Sequence, residues 1–501
     1  MQSNLKKQAF VGVGWNAIGR FSTQGVSFIL QIILARLLSP SDYGIIAMIS
    51  IFLQITAVFV DSGFGKYLVQ KQECNDRDFS TVFYYNLLVS LALYLLLYAI
   101  APLVARFYDI DLLINVMRVT SLVVVFNALS IVPRTKLEKS IDFKSQSIVL
   151  FLSSLISGLV GIVMAYYGLG VWALCGQTLL NSILQFILFQ FFVRWKPSLV
   201  FCKQSFSEMF SFGSKIIGAS LISVIYSNLY TIIIGKKFHS RDLGYYSRAD
   251  QLAVFPSSNI GLIISNVAFP VLSNIQNDNQ KLCAVYRRII SYSSFVIFPL
   301  MIGLSAISEP FVLTVLGETW INSVPYLQIL CFALMWDHLS MLNLNLLYVK
   351  GKTNLVLKLE IIKKIFAVII LFVTIPFGIM TMCIGRVIYS LVALYINTHY
   401  TKKLIGLSLF QQIHDFFPYL ALSFGMGVVV YFFSNLFNAS PITVLLYGIV
   451  IGVILYVSFS LLFFRRIREE LMGLLNEIKV RVKSRIVRGC DRSCGKNDKI
   501  W

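Results

Sequence analysis

Four arginines lie inside otherwise apolar stretches of this sequence, and their side chains are the best candidates for chemistry. They are Arg20, Arg118, Arg248 and Arg386. A guanidinium group keeps its charge in such surroundings and binds phosphate-type oxygens through two parallel hydrogen bonds. The same side chain can instead pair with a carboxylate or a carbonyl, or extend its charge to the edge of the apolar region. The sequence leaves both interpretations open.

Three further titratable residues lie in or beside the same stretches. Asp337 and His338 are adjacent, and a titratable pair at membrane depth can carry protons or bind a coupling ion. Interhelical hydrogen bonding is the alternative. Asp250 is also an ion-coupling candidate; it is two residues from Arg248, so on a helix the two side chains point in different directions. The eight cysteines form no CxxC unit and only four histidines are present, so we predict no metal site and no cofactor.

The elements that position these residues must be membrane-spanning helices. A soluble domain is about a quarter charged, whereas this chain of 501 residues is 13% charged and 57% hydrophobic, with a mean hydropathy of +0.76. Stretches long enough to cross about 30 Å of hydrocarbon number about fourteen. They are roughly 10–37, 43–65, 79–106, 112–133, 145–168, 170–193, 214–236, 243–272, 285–308, 322–349, 355–376, 378–400, 413–435 and 441–464.

The distribution of lysine and arginine predicts the orientation. Of the 43 basic residues, 34 lie on the side that contains both termini, 5 lie on the other side and 4 lie within spans. Because basic loops stay in the cytoplasm, we expect both termini to be cytoplasmic. The net charge of +20 then reflects topology, with the tail also contacting anionic lipid, and it gives no reason to expect nucleic acid as a partner.

An internal repeat divides the first twelve spans into two groups of six. The segment 32–36, with Asp42 and Gly44, recurs 200 residues later as 232–236, with Asp242 and Gly244. We therefore predict a six-helix lobe over 1–195, an amphipathic cytoplasmic linker over 196–212 and a second lobe over 213–405. A terminal helix pair over 406–464 and a basic cytoplasmic tail over 465–501 follow. An even number of spans in each lobe gives both the same orientation, which suits two lobes that rock about an axis along the membrane normal.

Several segments carry a resemblance to a known family: ARLLSPSDYG at 35–44, DSGFG at 61–65, LVQK at 68–71, GYYSRA at 244–249 and FPVL at 269–272. They resemble the Wzx-type and teichuronic-acid-type polysaccharide exporters of the multidrug/oligosaccharidyl-lipid/polysaccharide exporter superfamily. The resemblance implies an all-α, V-shaped bundle of two six-helix lobes with two further helices beside them. It also implies a bacterial inner-membrane flippase that moves undecaprenyl-pyrophosphate-linked glycans outward for O-antigen, capsule or exopolysaccharide synthesis. A polysaccharide polymerase and a chain-length regulator are the implied protein partners.

Two other functions compete with the flippase. A drug or cation antiporter of the same superfamily would need an acidic cavity, which the intramembrane arginines disfavour, whereas a cationic cavity would suit a pyrophosphate group. A membrane polysaccharide polymerase or ligase would need a large external domain, but no external loop exceeds roughly twenty residues. The GKT at 351–353 lacks the earlier glycine of a phosphate-binding loop, so no ATPase is predicted. We expect a transporter and not an enzyme.

Overall fold

The computed structural model describes residues 19, 22–61, 63–71, 74–436 and 439–463. Arg20 and the basic tail over 465–501 therefore lie outside the described residues. Within the described ranges every regular element is a helix. The first half contains α1 (Ser22–Leu37), α2 (Pro40–Asp61), α3 (Phe64–Gln70), α4 (Asp76–Tyr108), α5 (Leu112–Thr120), α6 (Leu122–Lys139), α7 (Phe143–Tyr166) and α8 (Val171–Val193).

The second half contains eleven α-helices within the described residues. It contains α9 (Lys203–Ser227), α10 (Leu229–Lys237), α11 (Ser240–Asn274), α12 (Asn279–Ala306), α13 (Ser308–Val315), α14 (Val324–Leu334), α15 (Asp337–Val349), α16 (Thr353–Thr374), α17 (Ile379–Ile405), α18 (Leu409–Leu436) and α19 (Pro441–Phe463). A 3₁₀ helix over Glu318–Ser323 precedes α14.

Eleven of these helices or helix pairs are long and apolar enough to cross a bilayer. The three other predicted spans fall on α1, on α9 with α10, and on α16. The predicted span over 10–37 begins before the described residues, and α16 carries four charged residues among its first twelve. The prediction of an all-helical, multi-pass membrane protein is confirmed, while the number fourteen stays a prediction.

Helix starts outside the hydrocarbon follow ordinary capping chemistry. The backbone N–H of Asn75 donates to Asp78 Oδ2 at 3.1 Å and completes a capping box at the start of α4. At the start of α12, Asp278 Oδ1 accepts from the backbone N–H of Lys281 at 3.0 Å and from that of Gln280 at 3.1 Å. These bonds hold the pKa of the Asp278 carboxyl below its usual value, with the charge of Lys281 adding to the effect.

The tenth predicted span is not one continuous helix. A turn at 335–336 separates α14 from α15. Ser257 Oγ donates to the backbone carbonyl oxygen of Leu334 at 2.9 Å, so a side chain of α11 provides a hydrogen bond at this buried break. The prolines at 256, 270 and 299, in contrast, lie within continuous helices.

By its internal contacts the described chain forms two compact units. Unit 1 contains residues 1–253, 312–330 and 361–389, and unit 2 contains the remainder. One apolar cluster of unit 1 joins α3, α4 and α6 through Phe64, Leu68, Phe79, Val82 and Val132. One cluster of unit 2 joins α12, α18 and α19 through Phe295, Met426, Val430 and Tyr456. The boundaries predicted for the two lobes and the linker stay a prediction.

Unit 2 also contains a buried network of neutral polar side chains. Gln412 Nε2 donates to Thr401 Oγ1 at 2.9 Å and to Asn343 Oδ1 at 3.3 Å, and the Tyr286 hydroxyl donates to the same Asn343 oxygen at 2.9 Å. Gln412 is 1% exposed. The four residues come from α12, α15, α17 and α18, so the network fixes four helices relative to one another.

Removing Gln412 should therefore destabilise the fold. Gln412→Ala leaves Asn343 and Thr401 with fewer partners in a dry environment, and we expect a loss of about 1–3 kcal/mol in the free energy of unfolding. The measurement is the thermal unfolding midpoint of the protein in detergent, with Asn354→Ala, an exposed amide at the start of α16, as the control. Equal midpoints for the two variants would contradict a structural role for the network.

Candidate functional site

The 200-residue repeat brings the starts of α2 and α11 into direct contact within unit 1. A Cβ atom on Gly44 would lie 1.8 Å from the carbonyl oxygen of Ser240, and one on Gly244 would lie 1.8 Å from the carbonyl oxygen of Pro40. Real Cβ atoms essentially never come within 3.0 Å of another atom, so only glycine is accommodated at either position. The two contacts are equivalent under the repeat. We call these four residues the glycine seam.

Matching caps fix where the two helices of the seam begin. Ser39 donates to Asp42 Oδ2 through its backbone N–H at 3.0 Å and through its hydroxyl at 2.7 Å. In the second copy the backbone N–H of His239 donates to Asp242 Oδ2 at 3.3 Å. Each aspartate lies in the first turn, where its charge interacts favourably with the helix dipole. The repeated aspartates therefore place the two glycines at equal depths in their helices.

Two basic side chains reinforce the seam by reaching from one repeat into the other. Arg36 Nε donates to the carbonyl oxygen of Val315 at 2.9 Å, and its Nη2 donates to that of Thr314, at the end of α13. The repeat equivalent, Lys236, forms an ion pair with Asp109 at 3.1 Å, just after the end of α4. A cation at a helix C-terminus satisfies carbonyls that have no helical partner. Each repeat thus extends one basic side chain to the end of a helix in the other repeat.

Aromatic rings fill the space beside the seam in the same reciprocal manner. Trp320 Nε1 donates to the carbonyl oxygen of Ala35 at 2.7 Å, and the ring of Trp320 is 0% exposed. Its edge faces Tyr43, with ring centroids 5.4 Å apart. Gly235, the repeat equivalent of Ala35, lies against the ring of Tyr108, 3.0 Å from where its Cβ would be. Small residues at the ends of α1 and α10 therefore admit large rings.

Arg248 lies beside the seam and is buried, with 5% of its surface exposed. Its Nη2 donates to the carbonyl oxygen of Gln31 at 3.0 Å, and its Nη1 donates to Gln251 Oε1 at 2.6 Å. The guanidinium also lies 4.4 Å from the centroid of the Tyr43 ring. All of these partners are neutral. An arginine of the second repeat is thus held by a helix and a ring of the first.

The other sequence-predicted charges have separate partners. Arg386 Nη1 donates to the Tyr246 hydroxyl at 3.1 Å and forms an ion pair with Asp250. Asp250 therefore pairs across helices and not with Arg248, as their spacing predicted. Arg118 lies 4.2 Å from the centroid of the Tyr98 ring.

The adjacent residues Asp337 and His338 lie in different surroundings. His338 is 2% exposed; its Nδ1 donates to the carbonyl oxygen of Met335 at 2.8 Å, and its Nε2 lies 3.3 Å from Ser294 Oγ. Asp337 is exposed. Neighbours on a helix are separated by about 100°, which explains the difference. Both ring nitrogens of His338 thus have partners within unit 2.

Sequence reasoning did not single out Gln31, Tyr43 or Trp320. The repeat gave the one available signal, because it marked Asp42, Gly44 and their equivalents as a conspicuous pair of motifs. It did not show that the two copies touch each other.

Adding one methyl group at the seam should separate the two helix starts. Gly44→Ala and Gly244→Ala each place a Cβ against backbone, which cannot rotate away, so we expect a loss of about 1–3 kcal/mol in the free energy of unfolding. Gly25→Ala in α1 is the matched control, because a Cβ there meets nothing within 4 Å. Helix propensity alone would make that control neutral or slightly stabilising. Equal thermal midpoints in detergent for Gly44→Ala and Gly25→Ala would show that the seam does not constrain the helices.

Comparison with solved structures supports the fold. The lipid II flippase MurJ in an inward closed conformation superimposes with a TM-score of 0.74 over 90% of this chain and 99% of MurJ, at 17% identity. At 17% identity, this similarity establishes only the arrangement of the helices.

Sequence comparison connects the chain to polysaccharide synthesis. It is 24% identical to the lipopolysaccharide biosynthesis protein WzxC of Escherichia coli (strain K12) over 448 residues, which are 85% of this chain and 89% of WzxC. It is 24% identical to the succinoglycan biosynthesis transport protein ExoT of Rhizobium meliloti (strain 1021) over 321 residues, which are 64% of this chain and 65% of ExoT. The family model described as polysaccharide biosynthesis protein matches residues 33–325, which include the whole glycine seam. Because this match covers more than half of the chain, the protein belongs to the polysaccharide biosynthesis protein family, as the sequence motifs predicted.

Proposed function

We propose that this protein is a flippase that moves undecaprenyl-pyrophosphate-linked oligosaccharide units across the bacterial inner membrane by alternating access. Membership in the polysaccharide biosynthesis protein family supports a glycan cargo, and the similarity to ExoT, a succinoglycan biosynthesis transport protein, supports movement across the membrane. Both termini are proposed to be cytoplasmic, as the lysine and arginine distribution predicts.

The glycine seam is the observation that carries this proposal. It joins two repeats that have the same predicted orientation, and it does so through backbone contacts, a few hydrogen bonds and ring edges. Such a contact can separate as a unit, because neither repeat's own helices depend on it for their internal hydrogen bonds. A separable contact between two repeats is what alternating access requires. Under the proposed orientation the seam lies at the outer side, so its contact closes the outer end.

Arg248 then acts when the seam separates. Its present partners on α1 and α2, Gln31 and Tyr43, belong to the first repeat. Separation of the repeats would remove them and leave a permanently charged guanidinium facing the opening. A pyrophosphate group is the ligand best matched to such a donor. We propose that Arg248 exchanges neutral protein partners for the phosphate oxygens of the cargo during each cycle.

The proposal is tested by reconstitution. Purified protein is placed in liposomes that contain a fluorescent undecaprenyl-pyrophosphate glycan, and exposure of the label to an external quencher or glycosidase is followed under ion gradients and membrane potentials. We expect exposure that depends on the protein. If the label stays protected under every gradient and potential, the flippase function is wrong.

In the same assay Arg248→Ala should lower transport while the protein still folds. Loss of a charge-assisted contact to phosphate is worth roughly 1.5–3 kcal/mol, which corresponds to about a tenfold to a hundredfold decrease in rate. Lys281→Ala, which removes an exposed charge in the first turn of α12, is the control and should transport at the wild-type rate. Wild-type transport by Arg248→Ala would exclude the partner exchange and leave the fold unaffected.

A further inference from the structure

A partly open cavity of about 530 Å³, with a wall that is part polar and part apolar, lies in unit 1 between α2, α3, α6 and α8. All of its walls come from the first half of the chain, and none of the four seam residues lines it. Its volume is in the range of sites that bind small organic molecules. The cavity is therefore a candidate binding site distinct from the seam and from Arg248.

The hydroxyl groups of the cavity wall are arranged to accept hydrogen bonds. Ser130, Thr135, Thr178 and Ser182 each donate their proton to a backbone carbonyl of their own helix, at 2.8 to 3.2 Å. Their oxygen lone pairs remain for a ligand. Three amide side chains in the wall, Asn127, Asn181 and Gln185, can both donate and accept. The wall thus offers both hydrogen-bonding roles without a net charge.

The oxygen of one of these amide side chains lacks a hydrogen-bond partner among the described residues. The Oδ1 atom of Asn181 is buried and has no hydrogen-bond partner among the described residues. A buried acceptor without a donor costs about 1–3 kcal/mol. Because this oxygen has almost no accessible surface, a molecule in the cavity would reach it only after the Asn181 side chain rotates toward the cavity.

The charges at the cavity do not favour an ionic ligand. Asp61 and Glu138 are balanced by Lys66 and Arg134, and Arg134 Nε lies 3.0 Å from Glu138 Oε1. With two charges of each sign, the site has no excess that would select an organic cation or a phosphate. A neutral molecule rich in hydroxyl groups, each able to donate and accept, matches the wall best.

We propose that this cavity is a carbohydrate subsite, which binds a neutral sugar residue of the transported glycan. The inference rests on the proposed flippase function and adds a site that recognises the sugar. Sites that hydrogen-bond substrate hydroxyls discriminate strongly against molecules that lack them, because their buried groups are then left unpaired. Asn181 is accordingly a specificity-determining residue, while Arg248 binds the pyrophosphate.

The test measures binding of a free saccharide to the full-length protein in detergent. The probe is the oligosaccharide released by mild acid from the lipid-linked repeat unit of the strain that encodes the chain, and saturation-transfer NMR gives its affinity. Inorganic pyrophosphate and tetraphenylphosphonium serve as competitors for an anionic and a cationic site. We expect the saccharide to bind and neither competitor to displace it.

Asn181→Leu separates a binding role from a structural one. It removes the unpaired Oδ1, so the thermal midpoint should stay the same or rise, while saccharide affinity falls about tenfold or more. Asn354→Leu, an exposed substitution on α16, should change neither quantity. A lowered midpoint with unchanged affinity for Asn181→Leu would assign the residue to packing and overturn the proposal.

Two other outcomes also overturn it: no binding of the saccharide to the wild-type protein, or its displacement by pyrophosphate or by tetraphenylphosphonium. The liposome assay on the same preparation distinguishes the two proposals. Protein that exposes the lipid-linked glycan but does not bind the free saccharide refutes the subsite alone. Protein that binds the saccharide but does not expose the lipid-linked glycan refutes the flippase function alone.

Discussion

The approach of two backbones at Gly44 and Gly244 is the constraint on which the arrangement of unit 1 depends. At these positions a single methyl group would lie 1.8 Å from a carbonyl oxygen of the other repeat. Once the two helix starts are this close, the ends of their neighbours are also close, and Arg36, Lys236 and Trp320 can reach across. The seam is therefore the cause of the reciprocal contacts and not one contact among many.

The bilayer imposes the second constraint, because a polar group within it must find its partner in protein. The two Nη atoms of Arg248 donate to neutral amide and carbonyl groups, while its buried Nε has no hydrogen-bond partner among the described residues. Arg386 is paired with Asp250 and a tyrosine hydroxyl. Neutral partners stabilise a guanidinium less than a carboxylate does. Arg248 is thus the more readily released of the two, which agrees with the role proposed for it.

Sequence reasoning recovered features that depend on local rules. Apolar length located the helices, and the repeat located Asp42, Gly44 and their equivalents. It could not supply contacts that depend on how helices far apart in sequence are aligned, such as Trp320 with Ala35, because an aromatic residue near the end of a span looks the same whether it faces lipid or protein. The separation of Asp337 from His338, by contrast, follows from helix geometry alone.

The caps, glycines and basic side chains of the seam are matched in the two repeats, but its buried charge is not. Capping aspartates, glycines and basic side chains occur once in each repeat, whereas the position equivalent to Arg248 is Met48, which is 0% exposed. Because these features are matched, the two repeats could separate without a difference in strength between the contacts that each repeat makes. Under the proposed function, a charge at only one of two equivalent positions would give the opening a direction, since an anionic group that enters it would meet its donor on one wall. In a transporter for a cargo with a phosphate end and a sugar end, this asymmetry would orient the cargo, and the cavity of the first repeat would bind its other end.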